Sequence, residues 1–337
     1  MTGGIISHLS ENNITHVLNT LLNEARSRKI RDIHIEPGSA TYKIRVRTSG
    51  QLKLIDQIST TKAEKLIEEI RLRSHLRKTN QRIPQESTFS YNSLLVQFTS
   101  LPIVDGEKIF LHITDQKMIS KDLKTIGLSG DHLQTVQNIP NLDSGLVIVI
   151  GEGKTTTMFS ILSLFDSKKL NISTVETRNT YRLSGVNQFI SNKNIIRQTE
   201  AAFSATVKQH SDVILLSQID SPRLAELAVD ASLNNRLVIT SLPITDPFQV
   251  ADFLLGLDIK PFLLLHALKM VISQDLVSVS ETKDRTSLKG VFEILEIDDH
   301  YKQLFQAGLN PHEIRHIKIK NGYQSKSDKL QPKAKLE

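Results

Sequence analysis

Lys154 and Thr155 follow two glycines, Gly151 and Gly153, which close an apolar, β-branched run, Gly145-Leu-Val-Ile-Val-Ile150. Met158-Phe-Ser-Ile-Leu162, just beyond them, has helical spacing. Strand, glycine turn, Lys-Thr and helix is the layout of a phosphate-binding P-loop. Backbone N–H groups and the positive end of the helix dipole hold the anion there. The lysine reaches the outer phosphates and the hydroxyl beside it holds Mg²⁺. Gly151, Gly153, Lys154, Thr155 and Thr156 are therefore the candidate nucleotide-binding residues, with Thr155 the candidate Mg²⁺ ligand. The spacing departs from the motif, which needs a glycine six positions before the lysine. Ile148 stands there, and Gly151 is only three positions away, so the loop is three residues short. Glu152 also places a carboxylate where phosphate should lie. Two like charges about 4 Å apart repel by about 1 kcal/mol at a dielectric of 80 and about 4 kcal/mol at 20. For an isolated Gly-x-Gly-Lys-Thr, a tight strand-to-helix turn is the better reading.

The elements that must position these residues follow from periodicity. With 337 residues the chain can bury two cores. Its 39% hydrophobic and 23% charged content is ordinary for a globular protein. Absence of cysteine excludes disulfides and cysteine metal sites and fits a reducing compartment. The first residues carry no basic segment leading into an apolar core, so no signal peptide is expected. The most apolar stretch, Pro261–Ile272, is broken by His266 and Lys269 and reads as a packed helix, not a membrane span. A net charge of +6 fits anionic partners without selecting one.

The expected order begins with an amphipathic helix over 12–29 and strands at 32–37, 41–47 and 51–55. A Lys/Arg/Glu-rich helix over 61–77 and strands at 89–95, 96–100 and 108–114 follow, so residues 1–115 read as an α+β domain. Residues 116–144 read as a connection with a short helix. From 145 the elements alternate: strand 145–150, helix 154–165, strand 172–176, helix 195–209, strand 213–217, helix 221–233, strand 236–241. That order predicts an α/β domain, 145–317, whose mostly parallel sheet is covered on both faces by helices. A mostly helical stretch, 247–279, is expected next. Residues 318–337, with six lysines against two acids, are expected to form a mobile basic tail.

Several ordered stretches carry a resemblance. Asp32-Ile-His-Ile-Glu-Pro37, Gln81-Arg-Ile-Pro-Gln85, Leu101-Pro-Ile-Val-Asp-Gly-Glu-Lys108, Gly185-Val-Asn-Gln188, Asp212-Val-Ile-Leu215 and Val271-Ile-Ser-Gln274 occur in the order found in one family. With the Gly-Lys-Thr turn among them, the chain resembles the secretion ATPases of type II secretion and type IV pilus assembly, from about residue 14 to 310. The resemblance implies a RecA-like P-loop NTPase domain after the smaller α+β domain. It also implies ATP and Mg²⁺ as cofactors, bound between domains and subunits of a hexameric ring. Its expected partners are further copies of itself or an intact paralogue, and the inner-membrane platform protein of the machine. The expected location is cytoplasmic, peripheral to the inner membrane, and no nucleic-acid partner is expected.

The same resemblance marks where the chemistry has drifted. Thr174-Val-Glu-Thr-Arg-Asn-Thr-Tyr181 keeps one acid of the family's Thr-Ile-Glu-Asp-Pro-x-Glu-Tyr, Glu176, which could polarise water, hold Mg²⁺ through water, or simply end a strand. Ser217-Gln-Ile-Asp-Ser221 replaces Gly-Glu-Ile-Arg-Asp, so Gln218 keeps the shape of the Walker B glutamate but is not a base. Pro243 stands where the family has a histidine, and Gln97 and His112 stand where it has arginines. Arg45 and Arg47 remain, as cations or as a solvated strand face. Framework glycines, prolines and apolar residues match while these positions do not. The leading reading is a family subunit that has kept its fold and has impaired hydrolysis. A slow ATPase using Glu176 as base is the alternative. Binding of nucleic acid or anionic membrane through the basic helix and tail ranks lowest.

Overall fold

The structure is a computed structural model that describes residues 6–10, 13–48, 51–76, 83–115, 122–177, 181–191, 197–282 and 285–326. The chain forms two compact units, Met1–Met118 and Ile119–Glu337.

In the first unit, α1 (Ile14–Ser27) precedes β1 (Asp32–Pro37), β2 (Thr41–Thr48), β3 (Gln51–Ser59), α2 (Thr60–Arg73), β4 (Gln85–Tyr91), β5 (Leu94–Ile103) and β6 (Gly106–Asp115). The strands form an antiparallel sheet in the order β3-β2-β1-β6-β5-β4. Alternation decides what each face does. Ile33, Ile35, Ile44, Val46, Val96, Phe98, Ile109 and Leu111 point to one face and are at most 1% exposed, joining Leu18, Leu21, Leu22, Leu66 and Ile70 of the helices in one core. A single strand over 89–95 is not found. Asn92, with φ of +53°, turns the chain there, and Tyr91 of β4 pairs with Leu94 of β5. Asn tolerates the left-handed conformation that such a hairpin needs.

The second unit opens with α3 (Gly130–Gln137) and continues as β7 (Gly145–Gly151), α4 (Lys154–Leu162), β8 (Ile172–Glu176), β9 (Asn187–Ile190), α5 (Gln198–Lys208), β10 (Val213–Leu216), α6 (Pro222–Leu233) and β11 (Leu237–Ser241). After these come α7 (Val250–Leu255), α8 (Pro261–Ala267), β12 (Leu268–Thr282), β13 (Arg285–Glu296), α9 (Asp299–Gln306) and α10 (Pro311–Lys320). The sheet order is β13-β12-β7-β11-β10-β8-β9, with every pair parallel except β12 with β13. Ile148 and Ile150 point into the core with Phe203, Leu224 and Leu264, while Val147 and Val149 face Met158, Phe159 and Leu162. Burial on both faces explains the unbroken apolar runs of β7 and β11.

The helical expectation for 247–279 fails beyond Ala267. Leu268 is extended, and β12 runs beside β7 with Val271 opposite Ile148 and Ile272 opposite Val149. Leu268, Val271 and Ile272 are all at most 2% exposed, so the run is apolar on both sides and its periodicity cannot tell strand from helix. Lys318 does not begin a tail either. It lies in α10, 9% exposed, with its ammonium on both carboxylate oxygens of Asp298 at 2.8 and 2.7 Å. Residues 327–337 of the expected tail lie outside the described residues.

Candidate nucleotide site

Only Glu152 and Gly153 separate β7 from α4, so the turn must be tight. Gly151 has φ of +88° and Gly153 caps the helix at +74°. A Cβ on Gly151 would stand 2.0 Å from the carbonyl oxygen of Gln274, and one on Gly153 would stand 2.7 Å from the Gln274 side-chain amide. The crowding arises because β12 places Gln274 opposite Gly151. The Glu152 N–H donates to the Gln274 carbonyl at 3.0 Å, and the Thr157 hydroxyl donates to its side-chain oxygen. The loop is thus tied to a neighbouring strand through one glutamine. Glu152 itself is exposed and is not among the residues that line the cavity beside the loop.

That cavity, of about 190 Å³, opens beyond the C-terminal ends of β8 and β10, beside the first turn of α4. Its polar walls are Lys154, Thr155, Glu176, Thr177, Ser217, Gln218 and Asp220, over Met158, Phe159 and Leu215. The crevice at the carboxyl ends of parallel strands is where open α/β sheets bind ligands. Lys154 donates from Nζ to the Leu242 carbonyl at 3.0 Å and to the Gln218 side-chain oxygen at 3.4 Å. Burial holds its ammonium pKa below the ordinary lysine value. Glu176 is 1% exposed, and its Oε1 accepts from the Thr174 hydroxyl at 2.6 Å and the Gln188 amide at 3.0 Å.

The predicted residues therefore separate. Lys154, Thr155, Glu176 and Gln218 meet around one cavity. Gly151 and Gly153 pack against Gln274, and the Thr156 hydroxyl bonds that of Tyr181 at 2.8 Å. Pro243 is exposed next to Leu242, whose carbonyl takes the lysine. Asp220 was missed: it stands two places after Gln218 and supplies a second cavity carboxylate. Its position in Ser217-Gln-Ile-Asp-Ser221 was its only signal, since a strand end can turn either of two nearby residues inward.

Whether ATP and Mg²⁺ fit depends on which donors are left. The Glu152 N–H is already committed to Gln274. A phosphate at the start of α4 would meet the remaining N–H groups of the first turn and Lys154, with Thr155 placed for a metal. The cavity lies below the roughly 300–1,000 Å³ usual for small-molecule sites and has room for the phosphate end of a nucleotide. The residues fit the phosphate end of a nucleotide, held by fewer backbone donors than a full P-loop provides.

In the first unit, Arg45 is committed to Glu36, 2.5 Å away, which Lys108 also meets at 2.8 Å. His112 meets Asp32 at 2.7 Å, and Gln97 lies opposite His112 across β5 and β6. Gln81 and Arg82, which contribute to the sequence resemblance, lie outside the described residues.

The fold has solved counterparts. The Legionella pneumophila ATPase DotB superposes with a TM-score of 0.68 at 17% identity, over 90% of this chain and 86% of that one. The pilus retraction motor PilT, solved with bound ADP, also gives 0.68 at 18% identity, over 93% and 96%. In sequence, type II secretion system protein E of Klebsiella pneumoniae is 31% identical over 271 residues, 78% of this chain and 54% of that protein. Type II secretion system protein HxcR of Pseudomonas aeruginosa is 27% identical over 331 residues, 90% and 70%. The chain spans about half the length of several curated relatives it matches, 54% of the Klebsiella pneumoniae protein and 55% of a putative type II secretion system protein E of Escherichia coli. The Type II/IV secretion system protein family model matches residues 8–333, and the chain belongs to that family.

Proposed function

We propose that this chain is a nucleotide-binding subunit of a type II secretion or type IV pilus machine in which ATP hydrolysis is impaired. The observation that carries this is the surrounding of Lys154. An amide, Gln218, stands where a carboxylate would face it, and a backbone carbonyl beside Pro243 takes its second hydrogen bond. A neutral amide cannot accept the proton of an attacking water. PilT, which shares the fold and was solved with bound ADP, supports a nucleotide as the ligand. When bound, the nucleotide would supply the phosphoanhydride and Mg²⁺ would neutralise its charge. Lys154 would orient the outer phosphates and Thr155 would offer a hydroxyl to the metal, while Glu176 and Asp220 place carboxylates in the same cavity. The subunit would sit in a ring with its own copies or with an intact family member, at the cytoplasmic face of the inner membrane and against its platform protein.

A second reading has one observation in its favour: Glu176 and Asp220 both line the cavity, so a base is within reach and slow turnover is its prediction. Calorimetry with ATP and Mg²⁺, paired with phosphate-release kinetics, separates the two. The expected result is Mg²⁺-dependent binding that Lys154→Ala weakens, with phosphate release at background. Robust turnover that Lys154→Ala abolishes would sink the first reading.

A further inference from the structure

The two stretches that hold the P-loop are themselves held from behind. Leu242, whose carbonyl takes Lys154, begins a loop that runs to Gln249. In that loop the Thr245 carbonyl accepts from Ser273 Oγ at 2.7 Å and from Lys326 Nζ at 3.4 Å. Asp246 accepts from Arg315 at 2.6 Å. The other stretch is Ser273-Gln274-Asp275 of β12, and Asp275 pairs with the same Lys326 at 3.0 Å. Phe248 of the loop, 1% exposed, lies under the Arg315 guanidinium at 4.8 Å and against the Tyr323 ring at 5.3 Å. Below them Glu293 of β13, 2% exposed, accepts from the Tyr323 hydroxyl at 3.0 Å and the Lys326 N–H at 3.3 Å.

We propose that Arg315–Lys326 is a positioning clamp for the nucleotide cavity, with Lys326 and Arg315 as its positioning residues. Lys326 joins the two stretches directly, since one ammonium reaches Thr245 and Asp275 together. Its own side chain is 11% exposed and that of Asp275 40%, so the lysine end of the pair is the one sheltered from solvent. Arg315 holds Asp246 by charge and Phe248 by its planar face, a combination that lysine does not reproduce. Loosening this segment releases the Leu242 carbonyl and the Gln274 backbone, and with them the seats of Lys154 and the Glu152 N–H. An anchor that merely held α10 down would leave those seats unchanged.

The test is amide hydrogen exchange of the full chain without nucleotide, comparing wild type, Lys326→Met and the milder Asp275→Asn, which alters an exposed partner. Lys302→Met, which breaks the separate surface pair with Asp299 at 3.2 Å, is the control. Exchange over 151–157 and 242–249 should rise about three- to fivefold in the first two variants and stay unchanged in the control. Arg315→Ala should do the same, with Arg315→Lys recovering only part. Acceleration confined to 290–296 and 311–326 overturns the clamp. ATP·Mg²⁺ affinity is the second readout and rests on the nucleotide reading. The exchange measurement does not, so failure of the wild type to bind nucleotide and failure of the clamp are distinguishable.

Discussion

Gln218→Glu returns a carboxylate to a position 3.4 Å from the Lys154 ammonium. At that distance and an effective dielectric of about 20, two opposite charges attract by about 5 kcal/mol before solvation is counted. Stripping water from a half-buried carboxylate offsets most of this, leaving a net gain of about 1–2 kcal/mol. In a unit of this size that raises the melting temperature by about 2–8 °C. It also lifts the Lys154 pKa that burial now depresses. Turnover is the discriminating quantity. A positioned general base is worth about 10²–10⁴ in rate, so if Gln218 were the sole defect the variant would hydrolyse ATP at least about a hundredfold faster. The geometry predicts otherwise. The Glu152 N–H is spent on Gln274, Pro243 offers neither donor nor charge, and a new carboxylate captures the lysine that phosphate needs. The assay is steady-state phosphate release with Mg²⁺ and saturating ATP, run beside differential scanning calorimetry. A more stable protein with turnover still at background is expected. A hundredfold gain in turnover, or a fall in melting temperature, would refute the reasoning.

Thr155→Ala should weaken Mg²⁺-dependent nucleotide binding measured by calorimetry with little change in stability. Thr156→Ala should do the reverse, losing about 1 kcal/mol in urea denaturation with the Tyr181 hydrogen bond. Gly151→Ala should cost at least about 2 kcal/mol, because its backbone is left-handed and the new methyl meets the Gln274 carbonyl; circular-dichroism melts check it. Asp32 is held below its ordinary pKa of 3.8, chiefly by the hydrogen bond with His112. A depressed carboxyl contributes stability that is present above its unfolded pKa and lost as pH falls through the folded one. His112→Ala should therefore lower the melting temperature at neutral pH and flatten its decline between about pH 5 and pH 2.

How legible the fold was differs between elements for physical reasons. The β7–α4 unit could be read because a β-branched run, two glycines and a helical period are local signals that agree. The two-sided burial of β12 erased its periodicity, and its partner β13 lay in a stretch with no turn signal strong enough to reveal the pair. Asn92 was a turn residue inside an otherwise strand-like run, and it was passed over for that reason. Among site residues, Lys154, Thr155, Glu176 and Gln218 could be found because each is tied to a strand end by short spacing. Asp220 could not, since spacing does not say which residue of a post-strand loop faces inward.

By itself the sequence determined that an α+β unit precedes a parallel α/β unit. It also determined that a glycine turn presents Lys154 at a helix start. Local period and residue chemistry suffice for those. Only the tertiary structure decided that Gln274 consumes the loop's amide and that the Leu242 carbonyl occupies the lysine. Each depends on a contact between residues roughly 90 to 120 positions apart, between β7–α4 and the ends of β11 and β12. No period or local spacing encodes such a contact; packing of the sheet brings it about.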